Sequence, residues 1–199
     1  MARNRSARRS AACGLAVLSA LLVLEGCARP PETPKGTDQI KPTYNRATGR
    51  LEKVTYDRNR DGKVDAWTFM DGTRVVRAEL DEDFDGRVDR WEYYGADAAS
   101  SGGPAGGVLT RVETSTRPDG RPSRFEYFEQ GRRTRAEEDT DGDGRIDKWE
   151  AWGGATLASV LLDTNGDGKA DRRLVYPPDG SGPRFEVDAD GTGQFSPAR

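Results

Sequence analysis

Four segments set acidic or amide oxygens at alternate positions and follow them with a glycine: "DRNRDGKVDAW" (57–67), "DEDFDGRVDRW" (81–91), "DTDGDGRIDKW" (139–149) and "DTNGDGKADRR" (163–173). Positions 1, 3, 5 and 9 are Asp57, Asn59, Asp61 and Asp65 in the first segment and Asp81, Asp83, Asp85 and Asp89 in the second. In the third and fourth they are Asp139, Asp141, Asp143 and Asp147, then Asp163, Asn165, Asp167 and Asp171. Carboxylates held this close repel one another unless a cation lies between them. An oxygen-only ligand set of high negative charge, with a glycine for the sharp turn, suits calcium, which takes about six to eight hard ligands. Position 7 is expected to add its main-chain carbonyl, from Lys63, Arg87, Arg145 and Lys169. The chain has no histidine, so zinc or copper would lack its usual soft ligands. Calcium is therefore the expected cofactor, bound at four loops.

Two families share this loop. The EF-hand uses a glutamate at position 12 between helices; Glu92 and Glu150 fit that place, whereas Thr68 and Leu174 do not. The pattern more closely resembles the hairpin loops of FG-GAP and integrin-type propeller blades, which ligate calcium from positions 1, 3, 5 and 9 between strands. That resemblance implies strand–loop–strand calcium sites and covers the loops alone. A propeller blade has four strands and is longer than the spacing here, so the propeller fold is not implied. The Asp pattern is also similar to thrombospondin type 3 and dockerin modules, whose periods and flanks differ.

The elements that must position these loops follow from their period. Asp57 and Asp81 open loops one and two, and Asp139 and Asp163 open loops three and four at the same interval. Asp81 and Asp139 stand farther apart, by two such intervals and an insert. A worn copy, "STRPDGRPSRF" (115–125), fills that gap after a low-complexity insert, "ADAASSGGPAGG" (96–107). It keeps Asp119 and is expected to be empty. A remnant, "DADGTG" (188–193), closes the array, and "TGRLEKVTY" (48–56) reads as the second half of an earlier unit. Each unit reads as two strands. "VDRWEYY" places Asp89, Trp91 and Tyr93 on one side; "RVVRAEL" places Val76, Ala78 and Leu80 on one side, as do Ala158, Val160 and Leu162 in the fourth unit, the one that opens at Asp139 when the worn copy is counted. The dipeptides "DG" (71–72) and "QG" (130–131) predict tight hairpin turns. The expected fold is all-β: an antiparallel meander of about ten strands built from 24-residue, two-strand repeats over residues 44–199. An aromatic ladder, Trp67, Trp91, Phe125 and Trp149, is expected to run across one face as packing rather than as a ligand platform.

Residues 1–26 read as a targeting segment. "MARNRSARRS" is basic, "AACGLAVLSALLVL" (11–24) is apolar, and "LEGC" (24–27) resembles a bacterial lipobox. The resemblance implies cleavage before Cys27, lipidation of Cys27 and a lipid-anchored protein of the bacterial cell envelope, with the outer membrane favoured because position 28 is Ala. Residues 27–43, rich in proline, are expected to be a flexible tether. Cys13 lies in the apolar run, so the mature chain has no cysteine for a disulfide. The chain's net charge is −3, and loss of Arg3, Arg5, Arg8, Arg9 and Glu25 with the targeting segment makes the mature part more acidic still. That balance favours cations and argues against nucleic acid.

Two function classes fit. The first is a non-enzymatic, calcium-binding, lipid-anchored envelope protein with a structural or partner-binding role, its partner an envelope protein or glycan. The alternative is an envelope hydrolase acting on glycans through a carboxylate pair. Ser-His-Asp and cysteine nucleophile chemistry lack their residues. Glu137 and Glu138, outside the loop pattern, are the nearest approach to a pair and read as a solvated strand end.

Overall fold

The structure is a computed structural model and describes residues 39–95 and 107–198. The targeting segment, Cys27 and the tether up to residue 38 lie outside the described residues. The first strands are β1 (Ile40–Tyr44), β2 (Leu51–Tyr56), β3 (Ala66–Asp71), β4 (Arg74–Leu80), β5 (Arg90–Gly95) and β6 (Val108–Thr114). They continue as β7 (Arg124–Glu129), β8 (Arg132–Glu138), β9 (Lys148–Gly153) and β10 (Thr156–Leu162). The last are β11 (Arg172–Val175), β12 (Arg184–Val187) and β13 (Ser196–Pro197). All thirteen form one sheet in sequence order, each antiparallel to the next. The meander expected from the repeat period is what forms.

The count exceeds ten because the sheet extends past the repeat units at both ends. β1 recruits residues 40–43, which composition assigned to the tether, and pairs them with β2. Its Lys41 and Pro42 are residues that blunt an exposed sheet edge. At the other end β12 is followed by β13, which is only two residues long and ends in Pro197.

Five hairpins carry a bulge; one passes over Glu52 between β1 and β2, and the four in later hairpins correct one expectation. Between β3 and β4, Phe69 pairs Arg77 and Met70 pairs Val75, so Val76 has no partner. Ala158 is passed over in the same way between β9 and β10. The alternation expected to carry Val76 with Ala78, and Ala158 with Val160, is broken at those residues by one extra residue in the returning strand. The other two bulges fall on Thr110 and Thr134. Their hydroxyls donate to the carbonyls of Tyr93 and Tyr127, at 3.0 and 3.4 Å. In the β7–β8 turn Gln130 and Gly131 both have positive φ, 50° and 73°, as a two-residue hairpin turn requires.

Among the described residues, substantial contacts join only strands adjacent in the sheet, so no second layer covers either face. The buried apolar side chains there are Val112, Ala136 and Val160. All stand on even-numbered strands in one line of register: Ala78–Glu92–Val112–Glu126–Ala136–Glu150–Val160. A small apolar residue thus alternates with a glutamate across this face. Arg124 lies over the same region and pairs with Glu126, Glu138 and Glu150 at 3.2, 2.8 and 2.9 Å. Lys148 reaches Glu138 and Glu150, each at 3.1 Å.

The opposite face carries the aromatic ladder. Across it run Trp67–Glu79–Trp91–Glu113–Phe125–Glu137–Trp149, aromatic on odd strands and acidic on even ones. The next line is Phe69–Arg77–Tyr93–Arg111–Tyr127–Arg135. Each arginine lies over a ring: Arg77 over Phe69 at 4.5 Å, Arg111 over Tyr93 at 4.3 Å and Arg135 over Tyr127 at 3.7 Å. Each also binds the glutamate two residues on, as Arg77–Glu79 at 2.6 Å and Arg111–Glu113 at 2.7 Å do. Cross-strand pairs of this kind contribute about 0.2–1 kcal/mol each. Repeated across the sheet, they take the place of a packed interior.

Candidate metal centre

The meander sends every second connection to the same edge of the sheet. That edge therefore carries all four Asp loops, the worn loop and the 188–193 remnant in a single line. Neighbouring loops are two strands apart, which sets them about 10 Å from one another.

Each loop is tied to the next through the backbone. The position-9 carbonyl accepts from the position-1 amide of the following loop: Asp65 from Asp81 at 2.8 Å, Asp147 from Asp163 at 2.8 Å and Asp171 from Asp188 at 3.1 Å. The worn loop keeps the linkage, with Asp89 accepting from Ser115 at 2.7 Å and Ser123 from Asp139 at 2.8 Å.

Inside each loop the side chains are held by main-chain amides. The position-6 glycine donates to the position-1 carboxylate: Gly62 to Asp57 at 2.9 Å, Gly86 to Asp81 at 2.8 Å, Gly144 to Asp139 at 3.0 Å and Gly168 to Asp163 at 2.7 Å. These glycines have φ between 86° and 93°, a conformation closed to most side chains. The position-2 amide donates to the position-9 carboxylate, from Arg58 to Asp65 at 2.7 Å and from Glu82 to Asp89 at 2.6 Å. Thr140 and Thr164 donate likewise to Asp147 and Asp171, both at 3.0 Å.

Positions 3 and 5 are fixed the same way. Asn59, Asp83, Asp141 and Asn165 each accept from the residue two further on. Asp61, Asp85, Asp143 and Asp167 accept from the amides of Lys63, Arg87, Arg145 and Lys169. In the second and third loops the position-3 and position-5 carboxylates take these bonds through one oxygen, leaving the other for a cation.

Two loops bring acidic ligand atoms together. The carboxylates of Asp81, Asp83 and Asp89 present oxygens within 4.8 Å of one another, and so do those of Asp139, Asp141 and Asp147. These are positions 1, 3 and 9, one buried, one exposed and one between. Either group can hold a metal ion. Position 5, Asp85 or Asp143, is not part of the triad. The first and fourth loops carry Asn59 and Asn165 at position 3, so their acidic residues number three rather than four. Asp65 and Asp81 are each only 2% exposed, burial that a carboxylate tolerates through the amide bonds just described.

The position-12 glutamates of the EF-hand reading do not join the loops. Glu92 lies in β5, paired with Arg90 at 2.8 Å, and Glu150 lies in β9, paired with Arg124 and Lys148. The loops are flanked by strands. The Glu137–Glu138 pair is also settled by geometry: successive strand residues point to opposite faces. Glu137 meets Arg135 and Tyr127 on one side, and Glu138 meets Arg124 and Lys148 on the other. Neither is a freely solvated strand end, and the two cannot act on one substrate bond.

The worn loop is not simply blank. Ser123 replaces the position-9 aspartate, is 2% exposed, and shares a 2.8 Å hydrogen bond with Thr116. Arg117 stands at ligand position 3 and reaches the third loop, where it donates to the Asp139 carboxylate at 3.1 Å and to the Asp139 carbonyl at 2.5 Å. This guanidinium holds the Asp139 carboxyl below its ordinary value, helped by the Gly142 and Gly144 amides and opposed by burial. Sequence reading missed Arg117 because its partner lies 22 residues away. The remnant at 188 is better formed than its sequence suggests. Gly193 donates to Asp188 at 2.7 Å, the same clasp as in the complete loops, although its position 9 is Ser196.

No protein-family model and no curated protein matches the chain. Solved structures with partial similarity include a GtfA/B complex, at 16% identity and TM-score 0.39, over 54% of this chain and 19% of that one. The pneumococcal O-GlcNAc transferase GtfA with UDP and GlcNAc matches at 16% identity and TM-score 0.38, over 52% and 18%. Accessory secretory proteins 1, 2 and 3 of Streptococcus pneumoniae match at 16% and TM-score 0.30, over 63% and 19%. The chain thus spans less than a fifth of the length of the proteins it matches. The expectation of a non-enzymatic chain gains no support from these similarities, one of which is to a transferase, and is not carried further. Likeness at these TM-scores transfers no activity to this chain.

Proposed function

We propose that this is a calcium-binding, lipid-anchored protein of the bacterial cell envelope in which the metal loops brace one edge of a single-layer sheet that serves a structural or partner-binding role. The observation that carries the reading is the convergence of the position 1, 3 and 9 carboxylates in the second and third loops, within 4.8 Å. All-oxygen ligands, partial hydration and a loop clasped by its own amides suit a hard cation of calcium's size. Among the described residues no second layer supports the loops, which rest on their own amide clasps and on the ties between neighbours, and the mature chain has no cysteine pair for a disulfide. The anchor rests on "LEGC". The ring faces of Phe69, Tyr93 and Tyr127 are occupied by arginines, which favours a structural use of the aromatic face over stacking of a glycan.

Calorimetric titration of residues 28–199 with calcium tests the metal, with magnesium as the comparison. Sites of about 10⁻⁴ to 10⁻³ M are expected, as in extracellular modules. Identical melting curves in chelator and in millimolar calcium would refute the reading. Cys27→Ser should abolish metabolic lipid labelling; equal labelling of the two proteins would remove the anchor.

A further inference from the structure

The third loop already has a cation on it. Arg117 approaches from the worn loop with both terminal nitrogens: Nη1 to Asp139 Oδ2 at 3.1 Å, Nη2 to Oδ1 at 3.3 Å, and Nη2 to the Asp139 carbonyl at 2.5 Å. Asp139 is ligand position 1 of the triad completed by Asp141 and Asp147. The neighbouring backbone has room for the guanidinium because position 4 is glycine; a Cβ on Gly142 would stand 2.6 Å from Arg117 Nη1. The second loop is otherwise its near twin, and among the described residues no cationic side chain pairs with Asp81. The worn loop is in turn held from its far side, where Arg87 of the second loop donates to the Pro118 carbonyl at 2.7 Å.

Resting on the calcium reading above, we propose that Arg117 is a built-in competitor for the cation of the third loop, making that loop the weaker of the two acidic-triad sites and coupling its filling to release of the Arg117 side chain. A divalent ion bound to Asp139 must displace the guanidinium or share its carboxylate with it, and in either case a charge-assisted pair is lost or weakened. The second loop meets no such opposition and fills first. When the third fills, Arg117 is freed, and the worn loop keeps its tie to Arg87 and its backbone ties to the loops on either side.

The test isolates the third loop and then removes the arginine. Asn59→Ala, Asp83→Ala and Asn165→Ala together weaken the other three complete loops at position 3, and calcium affinity is measured in that background with and without Arg117→Gln. Arg117→Gln is expected to tighten binding about five- to tenfold, while Arg117→Lys, which keeps the charge, recovers less than half of that gain. A second arm uses the otherwise unaltered chain, where Arg117→Gln should bring the weaker calcium step toward the tighter one and leave the tighter step in place. Measurable binding with unchanged affinity in the single variant overturns the proposal and leaves the calcium reading standing. No calcium binding by the unaltered chain overturns both.

Discussion

Arg124 on β7 reaches past β8 to place both terminal nitrogens on Glu150 of β9, at 3.2 and 2.9 Å. The residue of β8 that pairs with Glu150 is Ala136, which is 1% exposed. In a sheet with no second layer, cover for that alanine comes from long side chains on its own face, whose aliphatic stems shield it while their charges pair above. The ion pairs and the buried small residues are one device. Arg124 is its hub, bound also to Glu126 and Glu138.

Arg124→Met is therefore expected to destabilise the domain by about 2 kcal/mol, since it leaves the half-buried Glu138 and Glu150 to share one lysine and Glu126 with Arg133 alone. Adding Glu150→Gln should recover part of the loss. Urea denaturation of the single and double variants reads this directly. A single variant as stable as the parent would show that the network contributes nothing.

The same network sets an acid limit. Hydrogen bonding by Arg124, with Lys148 assisting and burial opposing, lowers Glu150 from its ordinary value of 4.5 to about 2. A carboxylate held below its unfolded value stabilises the fold above that value and loses the contribution as pH falls through the folded one. Melting temperature should therefore decline from about pH 4.5 toward pH 2. Glu150→Gln should flatten part of that decline; an unchanged slope would remove Glu150 as a cause.

How much of this was legible in the sequence follows from the range of each interaction. The loops and strands recur at one fixed interval and obey local rules, so alternation and Asp-Gly spacing reveal them. Val76 and Ala158 escaped because a bulge adds a residue without changing the apolar pattern. β1 escaped because Lys41 and Pro42 suit a sheet edge and a tether equally well. Arg117 and Arg124 escaped because their partners, 22 and 26 residues away, are chosen by register rather than by neighbourhood.

Val112 is fully buried between Glu92 and Glu126, on the strand that follows the 96–107 insert. Val112→Ala should cost about 1.5 kcal/mol, the transfer energy of two methylenes, with little added cavity cost because long neighbouring side chains can settle into the space. A loss above about 4 kcal/mol would mean that a rigid core exists where the sheet shows only a ladder. Thermal denaturation at fixed pH distinguishes the two.

Two aspartates of the third loop should separate folding from metal binding. Asp147 accepts from the amides of Thr140 and Asp141 and from the Thr140 hydroxyl, at 3.0, 3.2 and 2.8 Å. Those bonds exist whether or not a cation is present, and removing the acceptor strands two backbone donors. Asp143 accepts from the Arg145 amide alone, at 2.7 Å, at an exposed site where water can replace it. Asp147→Ala is thus expected to lower stability by about 1–3 kcal/mol in chelator and by more in calcium. Asp143→Ala should leave the chelated protein nearly unchanged and lose stability only in calcium, because a ligand stabilises the fold by RT ln(1 + [L]/Kd), about 2.7 kcal/mol at a hundredfold excess over Kd. Melting curves of both variants in chelator and in millimolar calcium decide the matter. Equal losses for the two variants in chelator would show that position 5 is a structural residue of the turn, and a loss for Asp143→Ala that ignores calcium would take that position out of the metal site.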